Sequence, residues 1–265
     1  MAIITLLTDF GIQDEYVGVL KGVISGINPG VTIIDVTHGI APQNVVAAAY
    51  TLKAAFPFFP QGTIHLAVVD PGVGTGRDIV AVACAGHLFL APDNGLLGPT
   101  LADHPPHAGY RVENENLFRH PVSRTFHGRD VFAPVAAHLA LGLPMKALGR
   151  ALDFEQLQSL PVRAPMMDAF GTLEGEVVGV DHFGNLITNI GRQHLALLGQ
   201  GKFEILMGDY TIVGISDTYA QGSPGRPLAI IGSRDCLEIA VNGASASRNL
   251  KQAPGVIVRI KAVAK

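Results

Sequence analysis

Two cysteines, no tryptophan, no basic run and no long apolar stretch define what this 265-residue chain is not. Cys84 and Cys236 both fall inside apolar segments, where a small buried thiol is the ordinary reading, so no disulfide framework is expected. No apolar run approaches the roughly 18 residues needed to cross a bilayer, although hydrophobic residues make up 48% of the chain. The first residues carry no basic leader and meet Asp9 early, so a secretory signal is not expected and the chain reads as soluble and cytoplasmic. A net charge of −3 without clustered Lys and Arg argues against nucleic acid as a partner, because phosphate neutralisation needs such clusters. A small molecule is the expected ligand. What the chain does have is length for a sizeable core and a repeated pattern of polar residues at the ends of apolar runs.

The first half alternates apolar runs with helical periodicity. Strands are predicted at 3–7, 31–36, 64–69, 79–83 and 88–90, and helices at about 14–27, 42–55 and 131–141. In the first helix Val17, Leu20, Ile24 and Ile27 form an apolar stripe, with Asp14 and Glu15 suited to its positive N-terminal end. Pro42 and Pro57 bracket the second. From about residue 171 the pattern becomes short strands separated by turn signals, at 175–180, 186–190, 203–207, 211–215, 228–231, 236–241 and 256–260. The expectation is an α/β N-terminal domain with a Rossmann-like layered sheet over 1–153, a linker over 154–167, and a smaller all-β barrel domain over 168–265.

Polar residues recur where the α/β strands run out: Asp9, Asp35 and His38, Asp70, and Asp93 with Asn94. Open α/β sheets bind ligands beyond the carboxyl ends of their strands, so these positions can converge. The segment TIHLAVVDPGVGTGR, residues 63–77, places Asp70 and Arg77 on the two arms of one tight loop, where an acid and a permanent cation can share a small site. Thr125-Phe126-His127-Gly128-Arg129-Asp130 can add a third group. The glycines of residues 72–76 suggest a phosphate cradle, but a strand rather than a helix follows, which favours a hairpin turn. Asp35 and His38 could serve a metallohydrolase only if Asp9 and His127 joined them. His65 and His87 read as ordinary strand-face residues, and His104 and His107 as solvated loop residues.

Five separated motifs, VVDPGVGTGR, APDNG, TFHGRD, VDHFGNLITNI and GSRDCLEIAVNGASAS, together resemble the S-adenosyl-L-methionine hydroxide adenosyltransferase family, relatives of the fluorinase and chlorinase enzymes. The resemblance implies an α/β domain followed by a β barrel, no metal and no cofactor. It also implies a homotrimer holding S-adenosyl-L-methionine between the N domain of one subunit and the C domain of its neighbour. Carried over by position, Asp70, Arg77 and His127 are the expected catalytic set, and Asp9 is the expected partner of the ribose hydroxyls. Asp14, Asp181, Ser233 and Arg234 match groups near the methionine amino and carboxylate ends. Phe183 and Asn185 match the aromatic face and amide that receive adenine, the backbone near Val241 and Gly243 would meet its edge, and Phe126 is expected against substrate. The halogenases carry an aromatic residue where Asp70 stands and a hydroxyl residue where Gly128 stands. Their tryptophan after the Phe-Gly-Asn turn is Ile187 here, so that wall of the pocket is expected to be more open.

The implied reaction converts S-adenosyl-L-methionine and water to adenosine and L-methionine. It asks little of an acid, because a neutral thioether leaves, and much of whatever positions the water. A metal-dependent phosphohydrolase using Asp35 and His38, and a noncatalytic adenosine or S-adenosyl-L-methionine sensor, are the other two readings.

Overall fold

A computed structural model describes residues 2–199 and 201–263 and divides into two compact units, one closing at Leu160 and the other opening at Pro161. The division falls inside the stretch read as a linker. The first part of that stretch is nevertheless built into the first unit: Phe154 and Leu157 pack on its core around a short helical turn at Phe154–Gln156.

The first unit comprises β1 (Ile3–Thr8), α1 (Tyr16–Ile27), β2 (Thr32–Thr37), α2 (Val45–Ala55), β3 (Ile64–Val68), β4 (Ile79–Cys84), β5 (His87–Pro92), α3 (Gly98–Asp103), β6 (Ala108–Arg111) and α4 (Ala133–Ala140). Its six-stranded sheet runs β2-β1-β3-β5-β4-β6, with β2, β1, β3 and β5 parallel and β4 antiparallel to both its neighbours. Residues two apart on a strand share a face, and the sheet uses both faces. Ile4, Leu6, Leu66 and Val68 pack with Leu20 and Ile24 of α1 and with Val135 and Ala136 of α4. Leu7, Ala67, Val69 and Phe89 turn the other way and pack with Ala48 and Leu52 of α2. Burial on both faces explains why these strands read as nearly continuous apolar runs.

Three local expectations are corrected. The helix expected from about residue 14 begins at Tyr16, which leaves Asp14 exposed in the preceding loop. The second helix begins at Val45 rather than near Pro42, because the Asn44 side chain accepts the Ala47 N–H at 2.9 Å and caps it. The loop of residues 70–78 is not a β-hairpin: β5 lies between β3 and β4, so its two arms leave the sheet at non-adjacent positions. The true hairpin joins β4 to β5 through Ala85 and Gly86, whose φ values of 49° and 79° suit a tight primed turn.

The second unit comprises β7 (Met166–Met167), β8 (Leu173–Val180), β9 (Leu186–Gly191), α5 (Arg192–Ala196), β10 (Phe203–Met207), β11 (Tyr210–Val213), β12 (Pro227–Ile231), β13 (Cys236–Val241), α6 (Ala246–Leu250) and β14 (Ile257–Ala262). Its strands run β11-β10-β14-β8-β9-β13-β12, antiparallel throughout, with β7 beside β8. A bridge between Ser216 and Ile230 brings the two ends of this order together, so the sheet curls into a nearly closed barrel. Inward residues including Val177, Leu186, Ile205, Ile239, Val258 and Ile260 fill it. The unit is not all-β: α5 and α6, five residues each, fall below the length that periodicity can reveal.

Candidate functional site

Parallel strands place the carboxyl ends of β1, β2, β3 and β5 along one edge of the first sheet, and the expected polar residues stand there. Most are already engaged. Asn94 Nδ2 donates to the Val69 carbonyl at 2.9 Å and ties the end of β5 to the end of β3. Asp93 Oδ1 accepts the Gln158 N–H at 2.9 Å, and burial raises its pKa. Asp9 Oδ2 accepts the Gln43 N–H at 2.8 Å, and Oδ1 accepts from no described residue.

Asp70 and Arg77 meet across their loop. Arg77 Nε lies 2.9 Å from both Asp70 oxygens, and Nη2 makes a further short contact to Oδ2. The Asp70 side chain is only 5% exposed and that of Arg77 12%, so the pair is shielded from bulk water, where such contacts gain strength. Arg77 Nη2 also reaches His127 Nδ1 at 3.0 Å. A guanidinium can only donate, so Nδ1 is the accepting nitrogen and the imidazole proton sits on Nε2. Burial and then the Arg77 charge hold His127 below its ordinary pKa, which favours this neutral form. His127 therefore braces Arg77 rather than offering Nδ1 as a base. Arg77 and His127 line a cleft of about 400 Å³ that Asp70 does not line.

The segment carrying His127 is pinned to the loop carrying Asp70. Gly74, at φ +76°, lies so close to the Arg124 carbonyl that a Cβ would overlap it. Asp130, fully buried, accepts from Arg129 Nε and Nη2 at 2.7 Å, Arg119 Nη1 at 3.3 Å and the Ser123 N–H at 2.8 Å. Its pKa is lowered, although burial, the largest influence, acts upward: the Arg129 and Ser123 hydrogen bonds prevail. Phe126 packs edge-on against Tyr16 at 5.1 Å and Phe10 at 5.9 Å between ring centres. Gly128 sits under these rings, with Phe126, Leu20 and Phe10 atoms 3.2 to 3.3 Å from where a Cβ would be.

The metal reading draws on Asp35 and His38, which are bonded elsewhere. His38 Nδ1 pairs with Thr8 Oγ1 at 2.8 Å, and Lys21 Nζ holds Asp35 Oδ2 at 2.6 Å. His38 Nε2 lies 3.1 Å from Asp35 Oδ1 without an aligned hydrogen bond. Among the described residues no group of three or more His, Cys, Asp or Glu is arranged to hold a metal ion.

In the second unit, Asp181, Phe183, Asn185, Ser233, Arg234, Val241 and Gly243 line one cavity of about 800 Å³. The turn between β8 and β9 builds one wall. Asp181 Oδ1 accepts the Asn185 N–H and Oδ2 accepts Asn185 Nδ2, both at 2.8 Å. The Asn185 backbone carbonyl in turn accepts the Asp181 N–H at 3.1 Å, and its side-chain Oδ1 accepts from no described residue. Gly184, at φ +87°, packs where a Cβ would overlap Ser245, and beside it Phe183 stands 77% exposed. Ile187 is buried at 3% on β9 and does not line the cavity.

Tyr219 and Glu238 are among the lining residues that escaped the sequence reading. Tyr219 Oη donates to Glu238 Oε2 at 3.0 Å. Glu238 had a signal: it is the one acid inside the otherwise apolar strand β13. Tyr219, in an irregular segment, had none.

Comparison with known proteins accords with these two units. A model of the SAM hydroxide adenosyltransferase N-terminal domain matches residues 4–149, and one of the corresponding C-terminal domain matches residues 175–259. The (R)-S-adenosyl-L-methionine hydrolase of Thermus thermophilus is 40% identical, the alignment covering 96% of this chain and 97% of that protein. A fluorinase from an Actinoplanes species is 32% identical, with 91% of each chain covered. A crystal structure of an uncharacterised conserved protein from Thermotoga maritima superposes with a TM-score of 0.88 at 38% identity, covering 97% of this chain and 99% of that one. Fold and site thus define a two-unit enzyme of the adenosyl-transferring kind. The chain belongs to the SAM hydroxide adenosyltransferase family.

Proposed function

We propose that this chain hydrolyses (R)-S-adenosyl-L-methionine to adenosine and L-methionine, with Asp70, Arg77 and His127 as its catalytic set. One observation carries the reading: a shielded carboxylate gripped by an arginine that is itself braced by a neutral histidine. Water oxygen bonds to the ribose C5′ as the C5′–S bond breaks, and the bonding pair leaves on sulfur to give a neutral thioether. The water proton passes to Asp70 and then to solvent, which balances the positive charge lost from the sulfonium. Arg77 fixes Asp70 in direction, and His127 fixes Arg77. In-line placement of the water is worth on the order of 7 kcal/mol or more. A halide at the same place, about 4 Å from Asp70, would be disfavoured by roughly 4 kcal/mol at an effective dielectric near 20, less whatever Arg77 offsets.

Substrate-binding roles follow the same reading. Asp9 takes the ribose hydroxyls with its free oxygen. Asn185 and Phe183 receive adenine, with the backbone at Val241 and Gly243 along its edge. Asp14, Asp181, Ser233 and Arg234 serve the amino-acid end, Asp181 also bracing Asn185, and Phe126 borders the substrate. No cofactor or metal enters the reaction. We read the first sheet as Rossmann-like, on the strength of its parallel β2-β1-β3-β5 core with helices on both faces. We further propose a cytoplasmic homotrimer in which neighbouring subunits complete each substrate site.

Product analysis tests the reaction. Equimolar adenosine and methionine from (R)-S-adenosyl-L-methionine, in the presence of chelator, is the expected result. No turnover, or a halogenated adenosine in chloride or fluoride, rejects it. A mass measured by light scattering at anything other than three subunits rejects the trimer.

A further inference from the structure

The reaction as proposed uses neither Asp35 nor His38. The register of β2 against β1 slips by one residue between Leu6, opposite Asp35, and Leu7, opposite Thr37, which leaves Val36 without a partner and brings His38 level with Thr8. Such bulges re-aim side chains beside active sites. Here the result is a buried chain of polar groups. The Phe10 N–H donates to Thr8 Oγ1 at 3.2 Å, and that hydroxyl lies 2.8 Å from His38 Nδ1. A hydroxyl that accepts an N–H keeps one proton to give, and Nδ1 takes it. The imidazole proton then stands on Nε2, which faces Asp35 Oδ1 at 3.1 Å, while Lys21 Nζ holds Asp35 Oδ2. Thr8 is fully buried and His38 only 7% exposed, so water does not compete for the middle of this chain.

What the chain grips is the peptide that follows Asp9. The His38 carbonyl also accepts the Gly11 N–H at 2.8 Å, so the turn of residues 9–11 is tied to His38 twice. The Asp9 carboxylate itself accepts one hydrogen bond, from the Gln43 N–H. A carboxylate that meets two vicinal hydroxyls needs a fixed direction as well as a free oxygen, and a single hydrogen bond leaves it free to swing about that contact. We infer that His38 is a positioning residue: by holding Thr8 it fixes the Asp9–Phe10 peptide, and through that peptide the carboxylate that takes the ribose hydroxyls. His38 touches no substrate in this role, which presupposes the ribose partnership proposed for Asp9.

Calorimetry with adenosine and 2′,3′-dideoxyadenosine tests it, since the two differ only in the hydroxyls at issue. The wild type is expected to bind adenosine at least tenfold more tightly. Thr8→Val, which replaces the hydroxyl by a methyl of similar size, and His38→Phe, which removes Nδ1, are each expected to cut that preference at least fivefold while leaving the dideoxy affinity within twofold. A histidine that merely supports the fold would weaken both probes alike. Equal losses on the two probes, or an unchanged preference in either folded variant, overturn the inference, and Thr8→Val decides alone should His38→Phe fail to fold. A wild type that binds both nucleosides equally overturns the inference and leaves the proposed reaction standing. One that binds neither removes both.

Discussion

Arg77 holds Asp70 and His127 at once, through Nε at 2.9 Å from both carboxylate oxygens and through Nη2 at 3.0 Å from the imidazole Nδ1. One planar group therefore sets the direction of an acid and the tautomer of a histidine. A lysine offers a single point charge and cannot span both. Arg77→Lys is expected to lower kcat by about 10- to 100-fold with KM within a few-fold, and Asp70→Ala to lower kcat further still. Steady-state kinetics on both variants checks this, and an Arg77→Lys enzyme of normal kcat would contradict it.

The pH profile should carry the mark of His127. Burial and the Arg77 charge hold its pKa below 6.5, so the ring is neutral through the neutral range and the brace is lost only as pH falls through that lowered value. The acid limb of kcat is thus expected below pH 6.5. His127→Asn, which can still accept from Arg77 but does not titrate, should retain measurable activity and lose that limb.

Stability should respond to a different histidine. His65, 1% exposed and stacked on Phe89 at 5.0 Å between ring centres, bonds Thr5 through Nδ1 and His87 through Nε2. Burial, then the nearby His87, depress its pKa from 6.5 to about 3. Above pH 6.5 the ring is neutral whether folded or not. Between 6.5 and about 3 the unfolded chain binds the proton and the folded one does not, so stability falls with pH, in sum by on the order of 4 kcal/mol. Urea unfolding at pH 7 and pH 4.5 should show a little over half of this loss, roughly 2 to 3 kcal/mol, and it should shrink clearly in His65→Gln.

Gly74 allows no side chain. Its φ of +76° disfavours any other residue, and the Arg124 carbonyl occupies the space a Cβ would need. Gly74→Ala is expected to destabilise the fold by about 2 kcal/mol or more and to lower kcat, because the loop bearing Asp70 must move away from the segment bearing His127. Gly76→Ala meets nothing within 4 Å and should change neither, which makes it the control for thermal melts and rates.

Much of this was legible in order and spacing. Asp70 and Arg77 lie seven residues apart on one loop, so their meeting needed no tertiary information. Partners distant in sequence did need it. The contact of Arg77 with His127 spans 50 residues, and that of Tyr219 with Glu238 spans 19 through an irregular segment. Strand neighbours were the weakest point. Residues 63–83 read as two arms of a hairpin because the glycines between them permit one, yet the sheet inserts β5 between those arms. The real turn, at Ala85 and Gly86, is short and lacks the Asn or Asp that usually marks such turns. His65 looked like any strand-face residue because sequence shows its apolar neighbours but not the Thr5 and His87 atoms it bonds.

The bridge from Ser216 to Ile230 has a bearing on handling the molecule. By joining the chain just past β11 to β12, it covers part of the edge that a flat sheet would offer to another copy for strand-by-strand growth. Fibre-like self-association through this half of the chain would first have to pry that seam apart, so concentrated stocks should be most vulnerable where acid or denaturant loosens it.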